Sequence, residues 1–134
     1  MNWLQLDEVE PLIKKYFEYL VTEFAFEEEP SRTAPFSHYV KYRKANLRVI
    51  IEYAYRHNYI TPEIINLDTS RSINLEWILK KNDPDFSDYK KYNEIMPSHI
   101  GLEISLKKIS ELFKKYAAPI LSGEEWYSWE DLIG

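Results

Sequence analysis

Cysteine is absent from the 134-residue chain. That excludes a disulfide framework, a thiolate metal site and a cysteine nucleophile. Glycine is almost absent too, and three residues can hardly build the loops that cradle phosphate groups. No apolar run approaches the length that spans a bilayer. Net positive charge is also lacking: the formal balance is −5, which argues against bulk binding to nucleic acid, because phosphate contacts need a clustered positive surface. Met1 to Leu6 is followed by Asp7, Glu8 and Glu10, acidic where a secretion signal needs a basic start. These absences lead us to expect a soluble, cytoplasmic protein with no membrane partner.

Apolar residues make up 45 % of the chain and aromatics 16 %, with 11 tyrosines. That suffices for a packed core in one domain spanning residues 1–134. A tyrosine buries its ring while keeping a polar tip near water. So many of them point to a thin core, a recognition surface or both. The charge is unevenly distributed. Residues 1–34 carry eight acids and three bases, whereas residues 35–57 carry five bases and one acid.

Leu12, Ile13, Tyr16, Phe17, Leu20, Val21 and Phe24 recur at three- and four-residue steps, which predicts an amphipathic helix over 9–24. Asp7 is its expected N-cap, and Pro11 is tolerated in a first turn. Glu27-Glu28-Glu29-Pro30 ends the pattern, and 30–35 reads as loop. The period then becomes two, through Phe36, His38, Val40 and Tyr42, and again from Leu47 to Tyr55. This predicts a hairpin, with Asn46 suited to a left-handed turn position. A third strand, 59–67, contains Pro62, which assigns it to an edge or breaks it. Ile73 to Leu79 reads as a short helix. Phe86 to Met96 reads as a long loop with a helical turn, within a connector spanning 68–97. Leu102, Leu106, Ile109, Leu112, Phe113 and Tyr116 predict a last helix over 101–116, ended or kinked at Ala117-Ala118-Pro119 and stopped at Gly123. The expected class is α+β: an N-terminal helix, a three- to four-stranded antiparallel meander and a C-terminal helix.

Chemistry is sparse. His38, His57 and His99 are far apart, with none at the spacing of a helical metal pair. His38 falls on the apolar side of its strand, where a buried, hydrogen-bonded ring is expected. The sequence contains no Gly-x-Ser-x-Gly elbow. Asp83, Asp85 and Asp88 lack the glycine and closing Glu of a calcium loop. We therefore assign no catalytic residue, no metal site and no cofactor. Tyr39, Lys41, Arg43, Arg48 and Arg56 fall on one face of the 41–56 hairpin. They could stack bases and hold phosphates, or form ordinary cross-strand pairs such as Arg48 or Arg56 with Glu52. The aromatic and acidic tail offers Glu124, Glu125, Trp126, Trp129, Glu130 and Asp131 as partner contacts: rigid rings bury area at little entropic cost, and acids steer a basic partner. Trp126 and Trp129 could instead seal the core.

Three segments, Tyr16 to Phe26, Asn46 to Tyr53 and Tyr116 to Trp126, together resemble small bacterial α+β proteins, some of which are immunity partners of polymorphic toxins. The likeness spans most of the chain and rests on the order of elements. It implies no cofactor and no catalytic residue. The function expected from the sequence is thus a non-enzymatic protein-binding domain, for which the resemblance implies the immunity type, masking a basic partner such as a toxin. One alternative is a small enzyme or ligand binder using His38 or His57; another is nucleic-acid binding through the hairpin. Homodimerisation through a strand edge fits all three.

Overall fold

The structure, a computed structural model, describes residues 6–54, 59–93 and 99–123. Its elements run α1 (Leu6–Tyr16), α2 (Tyr19–Thr22), β1 (Glu27–Thr33), β2 (Ser37–Lys44), β3 (Leu47–Ala54), β4 (Tyr59–Asn66), β5 (Arg71–Asn74), α3 (Leu75–Asn82), a 3-10 turn (Tyr89–Tyr92) and α4 (His99–Leu121). The class is α+β. The meander has five strands rather than three or four, in the order β1-β2-β3-β4-β5, and every neighbouring pair is antiparallel.

The alternation of β2 to β5 divides the sheet into two faces. Tyr42 sits opposite Val49, Val49 opposite Ile64 and Ile64 opposite Ile73, and all four are buried. The helices cover this inner face with Val9 and Ile13 from α1, Leu20 from α2, Leu75 and Ile78 from α3, and Leu102, Leu106, Ile109 and Phe113 from α4. Phe17 meets Phe113 edge-on at 6.1 Å between centroids. Polar groups fix the helices along one another. The Tyr16 hydroxyl donates to Glu103 at 2.9 Å, and the Tyr19 hydroxyl to the Ser110 carbonyl at 2.8 Å. Among the described residues no helix is long and apolar enough to cross a membrane.

The structure departs from the sequence expectation at several places. The first helix is divided between Tyr16 and Tyr19, where the Leu20 N–H bonds the Phe17 carbonyl three residues back, and Phe17 and Leu20 stay buried on one side. Residues 27–33 form an edge strand, not a loop, with its register interrupted between Glu29 and Arg32. Pro30, which donates nothing to a ladder, sits in that bulge. The left-handed position of the β2–β3 turn is Ala45, at φ 52°, while Asn46 donates to Asp68 at 3.0 Å.

β4 runs unbroken through Pro62, which lies opposite Ile51. Strand alternation puts the Pro62 nitrogen on the β5 side, where β5 has already ended, since its last residue Asn74 pairs with Glu63. Within the supposed loop, the 3-10 turn closes the rest of that edge. The Ile60 N–H donates to Asn93 Oδ1 at 2.8 Å, and its carbonyl accepts the Tyr89 hydroxyl at 2.8 Å and Asn93 Nδ2 at 3.3 Å. Finally, α4 continues through Pro119 to Leu121, because Ala117, Ile120 and Leu121 are buried against the sheet end. Gly123 then leaves the helix at φ 82°.

Candidate functional site

The corner between α2 and β1 builds a groove. Ala25 takes φ 62°, the Phe26 N–H donates to the Leu20 carbonyl at 2.8 Å, and the chain reverses into β1. The resulting groove has a volume of about 630 Å³. It is lined by Lys14 and Lys15 from α1, Glu18 at the N-cap of α2, Val21 and Thr22 from α2, Phe26 from the corner, and Glu27 and Glu28 from β1. Val21 is 40 % exposed there, one of four large apolar side chains left exposed among the described residues, with Phe36, Ile100 and Ile104. Phe26 is buried, with the Lys44 ammonium 4.9 Å from its ring centroid. Lys44 also donates to the Leu121 carbonyl, which ties the end of α4 to the β2–β3 turn.

Both groove lysines are engaged by carboxylates of the protein itself. Lys14 lies 3.8 Å from Glu10 and 3.7 Å from Glu28, and Lys15 lies 3.6 Å from Glu103. Among the described residues no ion pair engages Glu18 or Glu27. Glu18 is exposed at the helical rim, while Glu27 lies in register with Arg43 on the outer face of the sheet. A second open groove of about 380 Å³, lined by Ala25, Glu27, Glu28, Glu29, Arg43, Lys44 and Ala45, shares Glu27 and Glu28 as its wall. Glu27 and Glu28 thus stand between two grooves.

His38 lies where α1 crosses the β1 bulge. It is 6 % exposed. Its Nδ1 is 2.9 Å from Thr33 Oγ1 and its Nε2 is 2.8 Å from Glu10 Oε1. An ionised carboxylate can only accept, so Nε2 carries a hydrogen, and in the neutral ring Nδ1 accepts the Thr33 hydroxyl proton. The Ser31 hydroxyl, and after it the His38 ring and the Lys14 ammonium, hold the Glu10 carboxyl below the usual carboxylate range, against the opposing effect of its partial burial. The bulge explains the convergence: it turns Ser31 toward Glu10 and Thr33 toward His38. The buried, hydrogen-bonded ring was legible in the sequence; its partners were not. His57 lies outside the described residues, as does the side chain of His99.

The outer face of the sheet carries Tyr39, Lys41, Arg43 and Arg48, as their alternation predicts; Arg43 sits directly opposite Arg48. Arg56 is outside the described residues. Arg48 does not pair with Glu52. It reaches across β2 to Glu29, at 2.8 Å from Nε and 3.2 Å from Nη2, while Glu52 accepts the Ser37 hydroxyl at 2.7 Å. Partial burial, and then the neighbouring Glu52 charge, raise the Glu63 carboxyl above its ordinary value. Among the described residues no three histidine or carboxylate side chains gather as a metal site would require.

The tail contacts expected from the sequence, Glu124, Glu125, Trp126, Trp129, Glu130 and Asp131, all lie outside the described residues. The groove between the first helix and β1 was not anticipated. It depends on Lys14 meeting Glu28 across the folded corner, a contact between residues distant in sequence. The available signal was the excess of acids in residues 1–34. In comparisons with protein-family models, curated proteins and solved structures, nothing matches this chain.

Proposed function

We propose that this chain is a non-enzymatic protein-binding domain for a basic partner, in the manner of an immunity protein that masks a toxin. The observation that carries this reading is the charge balance around α1, α2 and β1. The lysines there are paired with Glu10, Glu28 and Glu103, and Glu18 and Glu27 are exposed with no ion pair among the described residues. A rigid acidic surface raises the encounter rate with a basic one and fixes its orientation. The tail acids Glu124, Glu125, Glu130 and Asp131, with Trp126 and Trp129, would add to the same attraction.

The test is affinity capture from the source cell on the immobilised chain, followed by reconstitution with the purified candidate partner. A basic protein should bind at low salt, weaken as the Debye length shrinks to about 3 Å near 1 M, and lose affinity to the Glu18→Lys/Glu27→Lys chain. Capture that returns no protein partner overturns the reading.

One observation favours the small-enzyme alternative. Thr33, His38 and Glu10 are joined as hydroxyl, imidazole and carboxylate, the connectivity of an acyl-transfer relay. In that chemistry Thr33 Oγ1 attacks an ester carbonyl, its proton passes to His38 Nδ1 while Glu10 stabilises the imidazolium, the ester C–O bond breaks as the alcohol or phenol leaves with that proton, and water then hydrolyses the acyl-Thr33 ester. Hydrolysis of p-nitrophenyl acetate that disappears in both Thr33→Ala and His38→Phe supports it. Equal background rates in all three proteins reject it.

A further inference from the structure

We propose that the outer face of the sheet joins two copies of this chain about a two-fold axis. This surface goes beyond the protein-binding reading and lies on the opposite side of the sheet from the helices. The buried residues of α1 to α4 all join the inner face. On the outer face, Ile50 and Ile65 belong neither to that core nor to the side chains packed against it.

The ladder register places the outer side chains. Lys41, Ile50 and Glu63 form one row across β2, β3 and β4. Arg43, Arg48 and Ile65 form the next row toward the β2–β3 turn, and Tyr39, Glu52 and Thr61 the row on the other side. Tyr39, Ile50 and Ile65 therefore lie along a diagonal of the face. Lys41, Arg43 and Arg48 all fall on one side of that diagonal, and Glu52 and Glu63 on the other. β1 adds Glu27 and Glu29 to the basic side, with Arg32 placed 5.7 Å from the Tyr39 ring centroid. Among the described residues the basic side thus carries four bases against two acids, and the acidic side two acids alone. The face is neutral as a whole in a chain of net charge −5. A uniformly basic or acidic partner would complement one side and oppose the other. A second copy complements both.

A two-fold axis lying in the face along the diagonal exchanges the two sides. With strands about 4.8 Å apart and same-face residues about 6.8 Å apart along each strand, Lys41 of one copy comes over Glu52 of the other. Arg43 and Arg48 come beside the other copy's Glu63. Each contact occurs twice, and Tyr39, Ile50 and Ile65 meet near the axis, where their apolar surface leaves water. The strands of the two sheets cross steeply, as in orthogonal sheet packing. Among the described residues no ion pair engages Lys41, Glu52 or Glu63. The two carboxylates are close enough that the Glu52 charge helps raise the Glu63 carboxyl above its ordinary value, and a cation from the second copy relieves that repulsion. Five strands, the central three of eight residues, offer about 500 Å² per copy. The resulting total of about 1,000 Å² is at the lower bound of specific interfaces, so the dimer is a weak one, with a dissociation constant on the order of 10 µM.

The test is sedimentation equilibrium of the full chain at low salt, over concentrations spanning that constant. The parent should pass from monomer to dimer. Lys41→Glu and Glu52→Lys, each checked for cooperative urea unfolding, should each weaken the dimer about tenfold or more. An equimolar mixture of the two variants should regain the affinity of the parent, because each introduced charge then faces its opposite. Impaired folding cannot produce that recovery. If either reversal unfolds the chain, Lys41→Gln and Glu52→Gln replace the pair, each weakening the dimer about threefold. A parent that stays monomeric, a dimer indifferent to the substitutions, or a mixture of the folded reversals that does not recover overturns the proposal. None of these outcomes bears on capture of a basic partner.

Discussion

Replacing Tyr42 by Phe should stabilise this protein, although Tyr42 is a core residue. Tyr42 is 0 % exposed, and its hydroxyl has no hydrogen-bond partner among the described residues. A buried hydroxyl that leaves water without a new bond costs about 1–3 kcal/mol. Removing the oxygen recovers most of that cost and forfeits only the dispersion contacts of one atom, a few tenths of a kcal/mol. The expected net gain is about 1 kcal/mol. With a urea dependence of about 2 kcal/mol per molar, the unfolding midpoint should rise by about 0.5 M. Tyr19→Phe is the internal control. The Tyr19 hydroxyl donates to the Ser110 carbonyl at 2.8 Å, so its loss should destabilise by about 1 kcal/mol, the opposite sign for the same chemical change. The pH dependence sharpens the test. Burial first, and then the Glu28 and Glu10 charges, raise the Tyr42 phenol above its ordinary value. A raised acid keeps its proton in the folded state where the unfolded chain has lost it. Its contribution is therefore complete below the ordinary value of about 10 and is lost as pH rises through the folded value. The advantage of Tyr42→Phe should thus widen above about pH 10. A midpoint lowered by Tyr42→Phe would refute the reasoning, because it would mean that the hydroxyl has a partner.

The 3-10 turn gives a second prediction: Asn93→Leu should cost about 2–3 kcal/mol in urea unfolding, because it leaves the Ile60 N–H buried without an acceptor, whereas Tyr89→Phe, which leaves the Ile60 carbonyl its Asn93 Nδ2 donor, should cost clearly less. Equal losses would count against Asn93 as the closure of the β4 edge. A double-mutant cycle between His38→Phe and Glu10→Gln should show a coupling of about 1–2 kcal/mol, and a coupling near zero would dissociate the two. Because Ser31 and then His38 and Lys14 hold the Glu10 carboxyl low, its contribution is present above the ordinary carboxylate value of about 4.3 and is lost as pH falls through the lower folded value. Acid unfolding of Glu10→Gln should therefore show a shallower pH dependence than that of the parent. Pro30→Val should straighten β1 and expose a regular edge. Sedimentation velocity should then show more self-association than in the parent, and an unchanged distribution would mean that Pro30 does not guard the edge.

The parts of the fold that were legible in the sequence are those where one face is buried and the other wet. β2, β3, α1 and α4 carry their period in their side chains, because water and core alternate along them. β1 carries no such signal. At an edge, in a bulge, Glu27, Glu28 and Pro30 are all exposed, and what holds the strand is the partner ladder and the Glu29–Arg48 pair. The two prolines misled for opposite reasons. Pro62 lacks an N–H at a point where β5 no longer offers an acceptor, so it costs β4 nothing there. Pro119 does remove a helical bond, but burial of Ala117, Ile120 and Leu121 on the same turns outweighs it. The candidate site was less legible still. His38 announced its burial by sitting on the apolar side of β2, yet Thr33 and Glu10 reach it only because the bulge and α1 converge there.

The same pairing pattern bears on which partner the charges select. Residues 35–57 looked like a cationic platform, and phosphate binding draws its strength from the number of cations free to release counterions. Of the four described cations in that segment, Arg48 is spent on Glu29, and Lys44 is turned inward to the Phe26 ring and the Leu121 carbonyl. Lys41 and Arg43 are left, on a face that also bears Glu52 and Glu63. Two cations among carboxylates make a weak phosphate track. Around α1 and α2 the inventory runs the other way: Lys14 and Lys15 are paired with Glu10, Glu28 and Glu103, and Glu18 is exposed with no ion pair among the described residues. Intramolecular pairing thus neutralises the positive segment and leaves the negative one facing outward. Under the proposed function, the attraction that survives is for a basic partner, and it should weaken with salt.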